Sequence, residues 1–551
     1  MDAPSITLLE KFYQWEKQIP DQTFLRQPVN GQWLEYSFKK TGDEIRRIAA
    51  YLKGLGLPEG AKIALLSKNC AHWIMADVAI WMAGYVSVPL YPTLTAASVQ
   101  QILDHSESKV IFLGKLDDYA AQKAGIGNHI KKISFPLYGL SEGSGWDDIL
   151  RSNQPLDADI IRDKDALATI SYTSGTTGIP KGVMFTFAAV GNATLIAFEA
   201  IDREIGMPPH PRLFSYLPLS HIAERMIVEA GGLFYGAHIS FVESLDVFGK
   251  NLADTQPDLF FGVPRIWARF HEKLLEKIPQ KKLNFLLSIP ILSKILKNKI
   301  KKNLGLTRAL NVSGAAPIAV PLLHWFRSLD IVIHEVYGMT ENSGVSHVNL
   351  TDEKVGTVGK PWPGVEIKLS DEGEILTRHS GMMSGYYKAP ELTAEMMSSD
   401  GFIKTGDKGA IDAEGFMTIT GRIKDLFKTD KGKYVAPGPI EARLLANSDI
   451  EQVCVVGMGI PQPIALTILS ATGKSKSREA IIESLSHSLN QVNSVLESYE
   501  KLETAVVMKD TWTVENGLMT PTLKVKRNEV EKIHLPRYPQ WYHEKGLVVW
   551  E

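Results

Sequence analysis

Cysteine is nearly missing from this chain of 551 residues. Cys70 and Cys454 stand far apart without a neighbouring thiol, so neither a disulfide framework nor a CxxC metal or redox site can be built, and a reducing compartment is the easier fit. Long apolar runs are missing too. The two longest, residues 78–89 and 453–469, are broken by Gly84 and by Pro461 and Pro463, so neither supplies the ~20 uninterrupted apolar residues of a membrane-spanning helix. The opening Met1-Asp2-Ala3-Pro4-Ser5 lacks the basic stretch and apolar core of a secretory signal. Charge of either sign is not in excess: 60 Lys and Arg against 62 Asp and Glu leave −2, so no global field draws the chain to nucleic acid or to an acidic membrane. Any charged partner must be met by a local site. Internal repeats and low-complexity tracts are absent, and a cytoplasmic setting is expected.

What is present describes a globular chain with more than one core. Hydrophobic residues make up 44%, enough for substantial cores, and 44 Gly and 29 Pro provide the turns between elements. At ~100–200 residues per domain the length predicts two or more domains. Residues 41–55 and 73–83 show helical spacing around a short apolar run at 62–67, and this alternation predicts an α/β architecture. Further short strands are expected at 166–174, 212–217, 259–263, 309–313 and 331–336. The model that follows is a large domain, residues 1–423, of mixed or parallel sheets covered by helices. Within it, frequent Gly and short strands predict a β-rich subdomain at about 345–421. Beyond Arg422 the pattern resets into a small α+β C-terminal domain, residues 424–551, hinged near 421–425.

The most informative stretch is Tyr172-Thr173-Ser174-Gly175-Thr176-Thr177-Gly178-Ile179-Pro180-Lys181-Gly182. Its glycines free backbone N–H groups to turn toward an anion, its hydroxyls add donors, and Lys181 adds positive charge, which together make a phosphate cradle. A Walker A loop is excluded, because Pro180 stands where GxxxxGK[ST] needs Gly and Gly182 where it needs Ser or Thr. Further on, Tyr337-Gly338-Met339-Thr340-Glu341 offers a stacking ring and a hard carboxylate oxygen suited to Mg²⁺ behind an apolar run. Gly314-Ala315-Ala316-Pro317 is a turn of small residues. Thr405-Gly406-Asp407 supplies an acceptor-only carboxylate that suits a vicinal diol.

These motifs, in this order, resemble the signatures of the adenylate-forming (AMP-binding) superfamily, which includes acyl-CoA synthetases, firefly luciferase and peptide-synthetase adenylation domains. The resemblance spans roughly residues 40–530. It implies that Thr173, Ser174, Gly175, Thr176, Thr177, Gly178 and Lys181 receive phosphate, that Tyr337 lies against adenine beside Gly314, Ala315 and Ala316, and that Thr340 contacts phosphate. It also implies that Glu341 helps hold Mg²⁺, that Asp407 and Arg422 bind ribose, and that Lys424 in Gly421-Arg422-Ile423-Lys424-Asp425 is the hinge. Asn516-Gly517-Leu518-Met519-Thr520-Pro521-Thr522-Leu523-Lys524 is similar to the segment bearing the mobile catalytic lysine, here Lys524; on composition alone it is equally a solvated basic tail. His221, Gly231, Gly232 and Lys428 map onto the acyl and CoA approach. A close-packed core helix accounts for the two glycines nearly as well.

Within the superfamily the chain looks most like long-chain fatty-acyl-CoA synthetases, on Val263-Pro264-Arg265-Ile266-Trp267, Lys428-Thr429-Asp430-Lys431-Gly432-Lys433 and the Thr-Pro-Thr before Lys524. Some long-chain relatives carry a gating tryptophan, yet none occurs between Trp146 and Trp267 here. The expected activity is ligation of a fatty acid to CoA through acyl-AMP, with ATP and Mg²⁺. Two alternatives stand beside it: a ligase passing the acyl group to acyl carrier protein, and a lipid-binding relative without turnover. Homodimerisation is left open. Residues 281–302 carry seven lysines, no acidic residue and interleaved apolar side chains, with Pro290 between two pieces. That segment is expected either to pack its apolar face on the large domain or to lie on the inner face of an anionic membrane.

Overall fold

A computed structural model describes residues 7–173, 180–520 and 523–551. Among these residues the large domain is built on two big sheets. The first has eight strands, in the order Gly385–Tyr386, Lys181–Thr186, Leu167–Thr173, Val86–Leu90, Lys62–Leu66, Val110–Leu113, Lys131–Ser134 and Ser144–Gly145. From Leu167–Thr173 onward its strands are parallel, and an antiparallel pair closes the near edge. The second sheet has nine strands. Its parallel middle runs through Ile333–Tyr337, Leu310–Ser313, Leu259–Phe261, Arg212–Ser215, His238–Phe241 and Thr23–Val29. The hairpin Thr23–Val29 with Gln32–Ser37, which the sequence reading left out, forms one edge.

Strand alternation decides where each core sits. In Lys62–Leu66, Ile63 and Leu65 enter a core shared by strands of both sheets, whereas Ala64 and Leu66 face the opposite side, under helix Ala96–Ser106. Each fully buried branched side chain of this kind contributes ~1.5–3 kcal/mol. Helix Ala71–Ala83 is buried on every side, which explains why its sequence is apolar all round. Asp77 on that helix is fully buried, paired with Arg225 and accepting from Ser87. Arg225 also donates to Thr169 at 2.9 Å and lies 3.1 Å from Glu229. Burial, then the Asp77 charge, push the Glu229 carboxyl well up. The outer face of the nine-stranded sheet is covered by Pro264–Lys277, Gln280–Ser288, Pro290–Leu304 and Val320–Ser328 around Phe214, Phe260, Trp267 and Phe326.

The β-rich region is narrower than expected. Its own four-stranded sheet comprises Glu366–Leu369, Glu374–Arg378, Ile403–Ile411 and Met417–Arg422. His347–Val348 and Lys360–Pro361 extend the nine-stranded sheet instead, and Gly385–Tyr386 joins the eight-stranded one, because their partners lie in the large sheets. The chain then passes through the turn Ile423–Asp425 into a separate C-terminal domain. There, alternate residues of Ile450–Val456 face two cores, Val453 and Val455 under Arg478–Asn493, and Cys454 and Val456 toward Tyr538 and Trp541. Among the described residues, no helix is long and apolar enough to cross a membrane.

Candidate active site

The site lies where parallel strands in the middle of the nine-stranded sheet end, the usual position for ligands in open α/β sheets. Arg212–Ser215 leads to His221, Leu310–Ser313 to Gly314-Ala315-Ala316, and Ile333–Tyr337 to Gly338 and Thr340. Two of these turns are demanding. Ala315 sits at φ +66°, in the left-handed region that few non-glycine residues adopt. A Cβ on Gly338 would stand 2.3 Å from the Gly344 carbonyl carbon, so only glycine lets the Thr340–Asn342 turn fold back and hold Glu341.

Asp407 gathers three parts of the chain. Its neighbour in register on the next strand is Arg422, which donates from Nε to Oδ1 at 2.7 Å, and the Tyr337 hydroxyl donates to Oδ2 at 2.7 Å. The Thr405 hydroxyl accepts from the Asp407 N–H at 3.1 Å and holds the turn. Burial, then the Asp407 charge, raise the Tyr337 hydroxyl well above its usual range, so it stays a donor. Lys524 faces this cluster from the C-terminal domain. It remains in contact with solvent, yet protein crowds its ammonium, and this desolvation, with Arg422 adding to it, lowers its pKa. Its backbone is tied to Thr520: the Lys524 N–H donates to the Thr520 hydroxyl at 3.0 Å, the Thr520 N–H donates to the Lys524 carbonyl at 2.8 Å, and Leu523 takes φ +60°.

His221 is close enough to Lys524 to feel its charge. Burial first, and then Lys524, bring its pKa down to about 4, so the imidazole is neutral near pH 7. Its Nδ1 accepts from the Ala223 N–H at 3.2 Å, which leaves Nε2 to carry the proton. Three residues on, Glu224 is buried and accepts from Tyr216 N–H at 2.8 Å, Ser215 at 2.9 Å and Asn69 at 3.2 Å. Burial raises that carboxyl to about 8.

A second cluster centres on Glu341, whose Oε1 accepts from the Tyr386 hydroxyl at 2.7 Å. The Lys181 ammonium lies 5.4 Å from the centre of the same ring, against its face. Lys181, Pro180, Tyr386 and Tyr387 border a cavity of about 150 Å³. The strands flanking the expected phosphate loop pair here, with Thr173 directly opposite Lys181, but Ser174, Gly175, Thr176, Thr177 and Gly178 lie outside the described residues.

Other expected residues fall elsewhere. A Cβ at Gly231 would stand 2.5 Å from the Phe198 ring, and one at Gly232 2.5 Å from Ile239, so both glycines serve close packing. Lys428 is exposed on the short hairpin with Tyr434, its ammonium 5.7 Å from that ring. Lys424 is exposed in the turn between the domains, and an ion pair between Arg265 and Glu451 links the two. Sequence reasoning missed Tyr386, Glu224 and the π-helical turn Arg225–Ala230 that follows. A Gly-Tyr-Tyr run after a loop gave no signal, because Tyr386 reaches the site only through strand pairing with Val183.

The fold and this cluster define an adenylate-forming enzyme, and the comparisons agree. The AMP-binding enzyme family matches residues 12–387, and the AMP-binding enzyme C-terminal domain matches 424–544; the chain belongs to this family. It is 28% identical to long-chain-fatty-acid-CoA ligase FadD15 of Mycobacterium bovis over 94% of each chain. To long-chain-fatty-acid-CoA ligase 5 of Rattus norvegicus it is 29% identical, over 91% of this chain and 83% of the relative. Among solved structures, the adenylation domain of a carboxylate reductase from Mycobacterium chelonae superposes with a TM-score of 0.82 at 23% identity, covering 98% of this chain and 92% of that one.

Proposed function

We propose that this protein is a long-chain fatty-acid-CoA ligase that forms acyl-AMP from ATP and then transfers the acyl group to CoA. The observation that carries the reading is the meeting of Tyr337, Asp407, Arg422 and Lys524 beyond the end of the strand Ile333–Tyr337, a set of a ring, a carboxylate and two cations. The chain length of the acid is supported by the names of the relatives.

In the first half-reaction a fatty-acid carboxylate oxygen attacks the α-phosphorus and pyrophosphate leaves. Both reactants are anions, so repulsion is the first obstacle. Lys524, Lys181 and the N–H groups of the 174–178 loop would supply compensating charge as the α-phosphoryl group becomes pentacoordinate. Asp407 would hold the ribose diol: its carboxylate has about four acceptor positions, and Tyr337 and Arg422 take one on each oxygen. Neutral His221 would donate from Nε2 to an oxygen of the adenylate.

Among the described residues, no cluster of three or more His, Cys, Asp or Glu is arranged to hold a metal. A single buried carboxylate, Glu341, nevertheless fits Mg²⁺, which takes most of its ligands from phosphate and water. When bound, Mg²⁺ supplies charge neutralisation to the phosphates; Tyr386, donating to Glu341, fixes that carboxylate in place.

In the second half-reaction the CoA thiol attacks the acyl carbon and AMP leaves. We place the pivot for the change of geometry at Lys424, which makes 1–423 and 424–551 the two moving bodies and carries residues 428–433 toward the site. The test is pyrophosphate release from acetate through octanoate to palmitate and longer acids, with CoA, with acyl carrier protein and with neither. Release that rises with chain length, with thioester formed on CoA, is expected. Release only with short acids, or thioester only on carrier protein, would refute the reading.

A further inference from the structure

The helical hairpin Gln280–Ser288 and Pro290–Leu304 has an inward and an outward side of different chemistry. Inward, Leu283 and Ile300 are buried, and Leu287, Leu296 and Leu304 pack on the core with Phe260 and Phe326. This is the ordinary fate of an amphipathic helix. The outward side is not ordinary: Phe285 is 64% exposed, Ile291 75% and Ile295 60%, with Leu292 beside them. No other window of eleven described residues leaves as many large apolar side chains in water. At 3.6 residues per turn, Ile291, Ile295, Asn298 and Lys302 form one stripe, flanked by Lys299 on one side and Lys294 on the other. Lys281 and Lys282 stand exposed on the first helix. Residues 280–304 include seven lysines and no acid, and among the described residues only Lys297 of the hairpin is in an ion pair, with Asp330 at 2.9 Å.

We propose that this hairpin docks the protein on an anionic lipid bilayer. The occupant of the face must satisfy lysine and bare apolar side chains together. A second copy in a two-fold contact would set lysines against lysines, which is repulsive. Nucleic acid would meet the lysines and leave Phe285, Ile291 and Ile295 in water. A bilayer offers anionic headgroups to the first set and the acyl boundary, 5–10 Å deep, to the second. The inference does not depend on the proposed reaction, since binding is read without turnover.

The experiment is co-sedimentation of the full chain with phosphatidylcholine vesicles, with and without phosphatidylserine, at low and high salt. Binding is expected only with phosphatidylserine and weakens as salt rises. Each lysine near such a surface is worth roughly fivefold in affinity. The triple variant Lys294→Gln, Lys299→Gln, Lys302→Gln should therefore bind roughly a hundredfold more weakly. Phe285→Ser with Ile295→Ser should weaken binding at unchanged thermal midpoint, since both side chains are already in water. Because Cys70 and Cys454 are buried, a thiol-directed polarity-sensitive dye can be placed at Ile291→Cys, and in a control at exposed Ile411→Cys on the small sheet. The first dye should shift to shorter wavelength on anionic vesicles and the second should not. Absence of binding at low salt, equal shifts at both positions, or binding indifferent to both sets of substitutions would overturn the proposal. So would a lipid-free dimer that dissociates in the Phe285→Ser, Ile295→Ser variant, which would give the face to a second copy.

Discussion

Asp407 offers a chemically clean test of the nucleotide site, because its hydrogen bonds can be counted. Its two oxygens each accept one bond, from Tyr337 and from Arg422, both at 2.7 Å. One acceptor position per oxygen is left, enough for the two hydroxyls of a ribose. A hydrogen bond to a charged group is worth ~1.5–3 kcal/mol, or roughly 10- to 150-fold in binding. The wild-type enzyme should therefore prefer ATP to 2′-deoxy-ATP or 3′-deoxy-ATP by that factor in kcat/KM for pyrophosphate release. In Asp407→Asn the oxygen facing Arg422 is retained, while the amide that replaces the other can no longer accept from a ribose hydroxyl. The retained oxygen is also neutral and a weaker acceptor. Use of ATP should fall by a similar factor, and the preference over the deoxynucleotides should shrink to a few-fold. Arg422 keeps its solvent contact, so the variant is expected to fold. Equal discrimination in Asp407→Asn and wild type, or none in wild type, would refute the ribose role.

Lys524→Ala should lower acyl-adenylate formation by ~10²-fold or more, the usual cost of removing a charge that stabilises a transition state, and should leave thioester formation from supplied acyl-AMP intact. Because Lys524 is depressed and must be a cation to act, adenylation kcat/KM should be full at neutral pH and fall as pH rises, at a pH below the ordinary lysine range. Lys524→Arg should remove that alkaline limb; a limb that persists belongs to another group. His221, already neutral with a pKa of about 4, should contribute no inflection near pH 6.5, and loss of one on His221→Gln would contradict this. Tyr386→Phe removes the donor to Glu341 and should raise the Mg²⁺ concentration for half-maximal rate severalfold; an unchanged Mg²⁺ dependence would detach Glu341 from the metal. Lys424→Pro should spare adenylation and suppress thioesterification, because proline fixes φ near −65°; equal loss in both would point to local misfolding.

What the sequence disclosed best was local. A strand running into a Gly and hydroxyl loop, small residues behind strand ends, and alternating apolar positions follow from neighbours in the chain, and they predicted the large mixed sheets and the separate C-terminal domain. Lys524 was marked only by the resemblance of its segment to the one bearing the mobile lysine, since composition alone reads equally as a solvated basic tail. Partners set by strand pairing were hidden. Tyr386 bonds Glu341 across 45 positions and Tyr337 bonds Asp407 across 70, and no periodicity encodes either distance. The same limit explains the small β region: His347–Val348 and Gly385–Tyr386 fall within the stretch read as β-rich, but their hydrogen-bond partners decide which sheet owns them. Gly231 and Gly232 show the reverse failure, since small residues read equally as a cavity wall or as close packing until Phe198 and Ile239 are seen against them.

The central claim is that a fatty-acid carboxylate oxygen attacks the α-phosphorus of ATP, and isotope transfer measures that event directly. The purified protein would be supplied with palmitate labelled with ¹⁸O in both carboxyl oxygens, together with ATP, Mg²⁺ and CoA, and the AMP and pyrophosphate analysed by mass spectrometry. One ¹⁸O in each AMP, none in pyrophosphate and one retained in palmitoyl-CoA is the predicted outcome. Label in inorganic phosphate with ADP as product, or AMP free of label, would contradict it.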